Sequence, residues 1–508
     1  MTLDSQQYHT LTSYQRDKMP QHSLDWQNQP STFKTYPKAE LIELPKEFSY
    51  REDKLSVLLK SSASEEKCVV PKLADLSEIF ALAYSITGRT AHQGGYFNYR
   101  SVASAGALYP VEIYVGTKDV KGLPDGIYHY AVAHHALSAV RNGDVSGFVV
   151  NALRKIPQKY PALVFFFSVI FFRSAWKYRD RSFRYHLLDT GHLIENMGVA
   201  LRAQGFPFVL SYDFKDQALN RLLGFDETKE ACLAVVHVPG SHLLNENGKT
   251  IEINELGDSI KGASRVSNRE IEYPAVREMY RESVLQNLGL RANSLEFDPV
   301  VLLPERTIEI DPPDSWPEQM NYKDAFFLRR SRRNFVPKAI SHRCLSALFE
   351  CMSIDDQEAS FEESDYKRSV SIGLIIGNAE GFDPGFYIMD QTKKSLGMVK
   401  PGSFPGLMAH ICLDQKWLAN ASVHFLFMTG LEKLDKFYGP RGYRYAMMIS
   451  GRLGERLYLS ATAMGLGCCG IGAFYDTEAA QFLGLEEASR LLYLVAVGVV
   501  KSPNRSTV

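Results

Sequence analysis

No apolar stretch in this chain is long enough to cross a membrane as a helix. The longest runs from Tyr160 to Phe172 (YPALVFFFSVIFF), short of the roughly 20 residues a bilayer core demands, and is read instead as a doubly buried strand. An excess of one charge is also missing: 57 Lys and Arg against 58 Asp and Glu leave a formal net charge of -1. Long-range electrostatics therefore points to neither nucleic acid nor an anionic membrane as partner. Cysteine is sparse. Its seven occurrences in 508 residues (68, 232, 344, 351, 412, 468 and 469) contain no CxxC pair and no zinc-ligand spacing, so reduced thiols, a cytoplasmic location and no metal are expected. Met1 to Asp25 is polar throughout and reads as no secretory leader.

What the chain does contain is itself, twice. Phe183–Gly240 returns as Tyr443–Val500 at a constant shift of 260, mapping Arg184-Tyr185 onto Arg444-Tyr445, Gly191 onto Gly451, Glu195 onto Glu455, Asp216 onto Asp476 and Leu223-Gly224 onto Leu483-Gly484. Solenoid repeats run to about 20–50 residues, so a period this long marks a duplicated domain. Two copies of one fold packed as an internal dimer make any site between them free to become unequal.

Organisation follows. Residues 1–45 read as an extended arm lying on the first copy, 46–262 as the first domain, 263–317 as a linker with a helix from about Arg269 to Leu288 and a proline-rich Pro299–Pro317, and 318–508 as the second domain. Each copy is read as a helix, a strand ending near Gly126-Ile127-Tyr128 or Gly385-Phe386-Tyr387, a helix, the apolar strand, a long helix, a turn and a final strand. Strands interleaved with helices predict an α+β or α/β arrangement.

Three motifs carry chemistry. Arg329-Arg330-Ser331-Arg332-Arg333 offers guanidinium forks and a hydroxyl suited to phosphate, although a solvated basic run has the same spacing. Gly465-Leu-Gly-Cys-Cys-Gly-Ile-Gly-Ala-Phe474 lets backbone approach a flat ligand; a helix cap explains its first glycines but not Gly470 and Gly472. Arg100-Ser-Val-Ala-Ser-Ala-Gly-Ala-Leu-Tyr-Pro110 is a small-residue loop entering a strand.

Together with LDWQNQPSTFKTYP (Leu24–Pro37), GLPDGIYHY (Gly122–Tyr130) and WKYRDRSFRYHLLDTGH (Trp176–His192), these motifs resemble the nitroreductase superfamily of FMN-dependent oxidoreductases, in its SagB-type dehydrogenase branch. The resemblance implies an α+β fold of two fused nitroreductase-like domains forming an intrachain pseudo-dimer. It also implies FMN at the interface, the clamp and glycine turn of one subunit holding it and the SAGALYP loop of the other covering it.

The copies have diverged in complementary ways. Aligning Leu76-Ser77 with Leu345-Ser346, a shift of 269, sets Arg329, Ser331 and Arg333 against Lys60, Ser62 and Ser64. The shift of 260 sets Gly470-Ile471-Gly472 against Leu210-Ser211-Tyr212. Conversely, 36 positions separate Cys351 from Tyr387 against 46 from Leu82 to Tyr128, so the second copy lacks a loop of SAGALYP length. One composite FMN site per chain is expected, its two-fold mate empty or collapsed.

By the resemblance, Arg329, Arg330, Ser331 and Arg333 bind phosphate and ribityl, and Gln415 hydrogen-bonds the flavin. Gly470, Ile471 and Gly472 offer backbone near its reactive nitrogen, and the Arg100 motif brings Ser104, Ala105 and Gly106 to its pyrimidine edge. Lys177-Tyr178 matches the pair to which azoline oxidases assign proton removal, set against a plainer reading as a charged strand end pairing with Asp180. Arg184 and Arg444 are read as structural. Three functions stay open: an FMN oxidoreductase using NAD(P)H or substrate as donor, an azoline-to-azole peptide dehydrogenase, and a non-catalytic flavin-binding protein. The partner is a small molecule or peptide, and the chain a pseudo-dimeric monomer or higher homo-oligomer.

Overall fold

The computed structural model describes residues 3–19, 23–61, 70–92, 95–244, 252–285, 300–354 and 365–501. Ser62, Ser64 and Cys68, and the proposed helix end at Leu288, lie outside them. The duplication is visible as two seven-stranded antiparallel sheets of matching order. The first comprises Leu41–Glu43 (β1), Val111–Thr117 (β4), Gly126–Ala131 (β5), Ala136–Asn142 (β6), Lys159–Ile170 (β7), Val209–Ser211 (β8) and Glu230–Leu243 (β9), ordered β1-β6-β5-β4-β7-β9-β8. Ile86–His92 (β2) and Gly95–Arg100 (β3) form a separate two-stranded ribbon. The second sheet uses Arg306–Glu309 (β10), Ser371–Ile376 (β11), Gly385–Asp390 (β12), Ser395–Pro401 (β13), Val423–Gly430 (β14), Gly467–Ile471 (β15) and Ser489–Gly498 (β16), ordered β10-β13-β12-β11-β14-β16-β15.

The apolar runs do become the central strands, buried on both faces: β7 lies between β4 and β9, and β14 between β11 and β16. Two details differ from the sequence reading. Gly126 and Gly385 begin strands rather than end them, because each glycine admits the neighbouring strand's carbonyl where a Cβ would stand 2.5 Å from that of Arg141 or 3.0 Å from that of Lys400. Within the glycine motif after the second long helix, Gly467–Ile471 is a strand, β15, paired in register with β16, so Gly467 and Gly470 sit in a close-packed ladder rather than a loop, while Gly465 turns the chain out of the helix at φ 74°.

The long helices Ser182–Gln204 and Arg441–Ala463 sit between the sheets, each on its own sheet and against the other. The first is buried on every side from Ser182 to Ala203, as expected of a helix enclosed by protein. It is stopped by Gly205 at φ 75°, a left-handed cap that glycine adopts without strain. Arg181 and Arg184 reach across to Asp476, and Arg441 and Arg444 reach back to Asp216; the repeated arginines thus tie the halves together reciprocally.

The arm does not lie on the first half alone. Its helix Ser5–Leu11, started by an Asp4 capping box, docks on the second half through Ser5 to Asp435 and His9 to Tyr443, and Arg16 pairs with Glu478. The same segment meets the first half as well, the Tyr8 hydroxyl donating to the Asp180 carbonyl at 2.6 Å and Arg181 to the Thr12 carbonyl at 2.8 Å. From Trp26, edge-on to Trp176, the arm follows the first half, with Lys34 buried against Glu230. A polar arm can bridge both halves because their carboxylates present acceptors along the seam. In the segment read as a linker, the helix spans Pro274–Glu282, begun by its proline, and Arg306–Glu309 supplies the edge strand that β1 supplies in the first sheet. Among the described residues no helix is long and apolar enough to cross a membrane.

Candidate active site

The two halves line a shared cleft with about 170 Å³ of room for water-sized molecules, inside about 760 Å³ of open space that includes its mouth. Its second-half wall is the clamp strand laid beside β15: Ser331 bridges to Cys468, and the Arg332 amide donates to the Cys468 carbonyl at 2.8 Å. Ser331 and Arg333 line the cleft with Gly470, Ile471 and Gly472. Ser331 Oγ and the Tyr458 hydroxyl are 2.9 Å apart, and the Gly470 amide donates to that hydroxyl at 2.7 Å. Arg333 is exposed; among the described residues it meets the Trp417 ring, 5.9 Å away, and the Cys469 thiol rather than a carboxylate.

The first-half wall is the loop between β3 and β4. It takes positive φ not only at Gly106 but at Ala107 (55°) and Tyr109 (46°), a conformation that side-chain-bearing residues hold only when their surroundings impose it. Those surroundings are visible. Asp189, from the first long helix, accepts from Ser104 Oγ at 2.5 Å and from the Ala105 amide at 3.2 Å. A Cβ on Gly106 would meet the Tyr178 hydroxyl at 2.9 Å and Lys177 Nζ at 3.2 Å.

Nine of the twelve cofactor residues expected from sequence line this cleft: Ser331, Arg333, Gln415, Gly470, Ile471, Gly472, Ser104, Ala105 and Gly106. Leu413 and Asp414 at positive φ (58° and 56°) deliver Gln415 and Trp417 to it, and the Gln415 amide donates to the Cys412 carbonyl at 2.8 Å. Three do not line it. Arg329 is buried, donating to the carbonyls of Ser101 and Arg100, both at 2.8 Å, so it locks the clamp to the first half's loop. Arg330 holds the ribbon at Thr87. Arg100 is buried over the Tyr84 and Tyr109 rings.

Tyr178 lines the cleft, and Lys177 stands beside it at the cover loop, its ammonium 5.4 Å from the Tyr178 ring centre. The pair ends a helix, Phe171–Tyr178, not a strand, and the Asp180 carboxylate accepts from the Ala275 amide. Burial, with the nearby Arg333 charge, lowers the Lys177 pKa; burial, then Asp189, raises that of Tyr178.

Sequence reasoning missed the residues that face the cleft from the helices. Tyr185, Asp189 and His192 form one row of the first long helix, and Tyr458 and Tyr493 approach from the second half. His192 Nε2 lies 3.0 Å from the Tyr493 hydroxyl and Nδ1 2.5 Å from Glu455. The available signal was the departure from the repeat: the shift of 260 sets Asp189 against Ile449 and His192 against Arg452. Around the related position, Tyr212 takes the place of Gly472 and is buried with Tyr438, Tyr445 and Tyr366. Tyr366 and Tyr445 stack at 4.1 Å, and Arg452 reaches Glu195 at 2.9 Å.

Comparison with known proteins bears on the fold and the family. The family model described as the nitroreductase family matches residues 69–240 and 384–499. A protein of Methanocaldococcus jannaschii described as a nitroreductase is 30% identical over 189 residues, 37% of this chain and 94% of its own length. The trifolitoxin-processing protein TfxB of Rhizobium leguminosarum is 29% identical over 154 residues, 28% of this chain and 40% of that protein. A solved structure from Anabaena variabilis, described as a nitroreductase, shares the fold at a TM-score of 0.76 and 23% identity, covering 98% of this chain and 100% of that one.

Proposed function

We propose, since the chain belongs to the nitroreductase family, that it is an FMN-dependent oxidoreductase with one flavin site per chain, built between its two halves. The observation that carries this reading is the convergence in one cleft of Ser331, Arg333 and Gly470–Gly472 from one half with Ser104–Gly106 from the other. The donor set suits FMN. Arg333 is a guanidinium fork free of carboxylate partners among the described residues, the form that phosphate recognition uses. Ser331 adds a hydroxyl, and the glycines present bare backbone to a flat ring. The flavin, when bound, supplies hydride acceptance and donation, while the protein holds and tunes it.

The chain's own residues have distinct tasks. Arg333 and Ser331 hold the phosphate end, Gln415 and Gly470–Gly472 the ring, and Ser104–Gly106 close over it and exclude water. Lys177 and Tyr178 stand where a substrate proton would leave, Lys177 with the lowered pKa that lets an amine act as base. An organic acceptor, with NAD(P)H or the substrate as donor, completes the cycle. The test is visible absorbance of the purified protein with flavin counted per chain: a ratio near one is expected, and a ratio near two, or no flavin after reconstitution, overturns the reading.

A second substrate reading, azoline-to-azole dehydrogenation of a peptide, is favoured by Tyr178 in the cleft wall with Lys177 beside it and by the likeness to the trifolitoxin-processing protein TfxB. Turnover of an azoline-bearing peptide against a quinone or nitroaromatic separates the two.

A further inference from the structure

We infer that Asp189 and Ser104 form a proton-delivering pair in the cleft wall, Asp189 holding a proton and Ser104 handing one to an acceptor atom of the bound molecule. The inference rests on the flavin site proposed above and adds a residue that the repeat-based reading did not contain.

The geometry begins with Ser104. Its Oγ accepts the Tyr109 amide at 2.9 Å and lies 2.5 Å from Asp189 Oδ2. A hydroxyl has one proton to donate and two lone pairs. With Asp189 ionised, that proton points at the carboxylate, away from the cleft. With Asp189 protonated, the carboxyl O–H fills the second lone pair of Ser104, and the only free direction left to the Ser104 proton is the cleft it lines. Ser104 is half-buried and Asp189 nearly enclosed, at 5% exposure, so the serine is the part that reaches a ligand.

The transfer balances as a proton shift without electrons. The Ser104 O–H bond breaks as a bond from hydrogen to the acceptor forms, the Asp189 O–H bond breaks as the Ser104 O–H bond re-forms, and Asp189 is left as carboxylate to be reprotonated from water. Burial raises the Asp189 pKa to about 7, against the opposing hydrogen bonds from Ser104 and Ala105 and the charge of His192. The ionisable groups that sense it are His192 on its own helix, Tyr178 on the helix Phe171–Tyr178, Tyr84 on the helix Leu73–Tyr84, Tyr109 beside the loop, and Tyr493 on β16. The related position in the other half is Ile449, so the pair exists at this cleft alone.

Two measurements test it on the full chain. Infrared difference spectra of flavin-free protein, titrated through about pH 7, should show a protonated carboxyl band that Asp189→Asn removes; its absence overturns the proton store whether or not flavin binds. FMN affinity, read by flavin fluorescence, should rise about fivefold in wild type as pH falls from about 9 to about 7, the part of the roughly tenfold worth of one pKa unit on binding that falls in this window. That window lies above the phosphate's own titration near about 6. Asp189→Asn, whose amide donates permanently to Ser104, should bind FMN tightly with no slope, and Ser104→Ala weakly with no slope. A slope that survives in either variant, or a flat wild type that still binds FMN, overturns the pair. A wild type that binds no FMN at any pH fails the functional reading itself and this inference with it.

Discussion

Gly191 and Gly451 face one another where the two long helices cross. A Cβ on Gly191 would stand 2.0 Å from the Met448 carbonyl oxygen, and one on Gly451 2.2 Å from that of Leu188. The two glycines are counterparts in the repeat, so the crossing marks the internal two-fold. Because the obstacles are backbone atoms, they cannot swing aside as a side chain would. Gly191→Ala and Gly451→Ala are each expected to destabilise by at least ~1–3 kcal/mol, as overpacking does, read as a lower urea midpoint. Gly406→Ala is the control: it sits in a helix with open space around it and should be neutral or slightly stabilising.

The reciprocal ion pairs beside that crossing should be asymmetric in their response to mutation. Asp216 accepts from Arg441 and Arg444, both at 2.7 Å and fully buried. Asp216→Ala leaves Arg444 buried without this carboxylate and Arg441 with only the Asp213 carboxylate among the described residues, 3.3 Å away, and should cost ~3–5 kcal/mol, whereas replacing all three residues by apolar ones of similar size should cost far less. Denaturant unfolding of both variants decides; equal losses would mean that stranded charge is not the cause.

Acid should weaken the fold well above the carboxylate range. Burial lowers His9 and His186 to about 3, and His237 and His424 to about 4. A histidine held neutral when folded but titrating near about 6.5 when unfolded stabilises above that pH and loses the contribution as pH falls toward its folded value. Thermal midpoints should therefore begin to drop below about pH 6.5, and His186→Phe or His424→Phe should flatten part of that limb.

Within the clamp, arginines of similar spacing should differ in kind. Arg333→Ala is expected to weaken FMN binding by roughly 10- to 100-fold, the loss of charge-assisted hydrogen bonds of ~1.5–3 kcal/mol. Arg330→Ala should leave affinity nearly unchanged and instead expose the ribbon to proteolysis, since its donors hold Thr87. Fluorescence titration and a timed digest read the two effects separately.

Lys177→Met and Tyr178→Phe should retain flavin but lower turnover by about 10²–10⁴, the range for a positioned acid or base. Because burial and Arg333 lower the Lys177 pKa, the amine is neutral at a lower pH than a surface lysine. Turnover should rise with pH through that depressed value, and the rise should vanish in Lys177→Met. Unchanged turnover in both variants would leave proton removal to another group.

Much of the fold was legible because duplication preserves spacing: helix ends, left-handed caps and buried acids recur 260 residues apart and need no tertiary information. The hairpin partners β6 and β13 were not legible, since ALSAVRN and SLGMVKP have weak alternation and take their place from the strands they join. In the clamp, alternation placed Arg329, Ser331 and Arg333 on one side, as in any extended chain. Only the closure of the other half's loop on Arg329 withdrew it from the cleft. Asp189 and His192 lay inside a quoted motif, Trp176–His192, but among other buried polar residues of the same helix, Arg184, His186, Thr190, Glu195 and Asn196, so nothing local set them apart; Tyr493 is one aromatic in an apolar strand.

The sequence by itself determined that this is one fold used twice and which copy kept the clamp, the glycine strand and the small-residue loop, because those are local patterns whose loss shows in an alignment of the chain with itself. Only the tertiary structure decided what the site is made of. Asp189 meets a loop of its own half 85 residues away, and His192 and Tyr493 meet across 301 residues because the two long helices, with Gly191 and Gly451 at their crossing, can approach backbone to backbone. That close approach brings the polar row of one half against the open strand of the other.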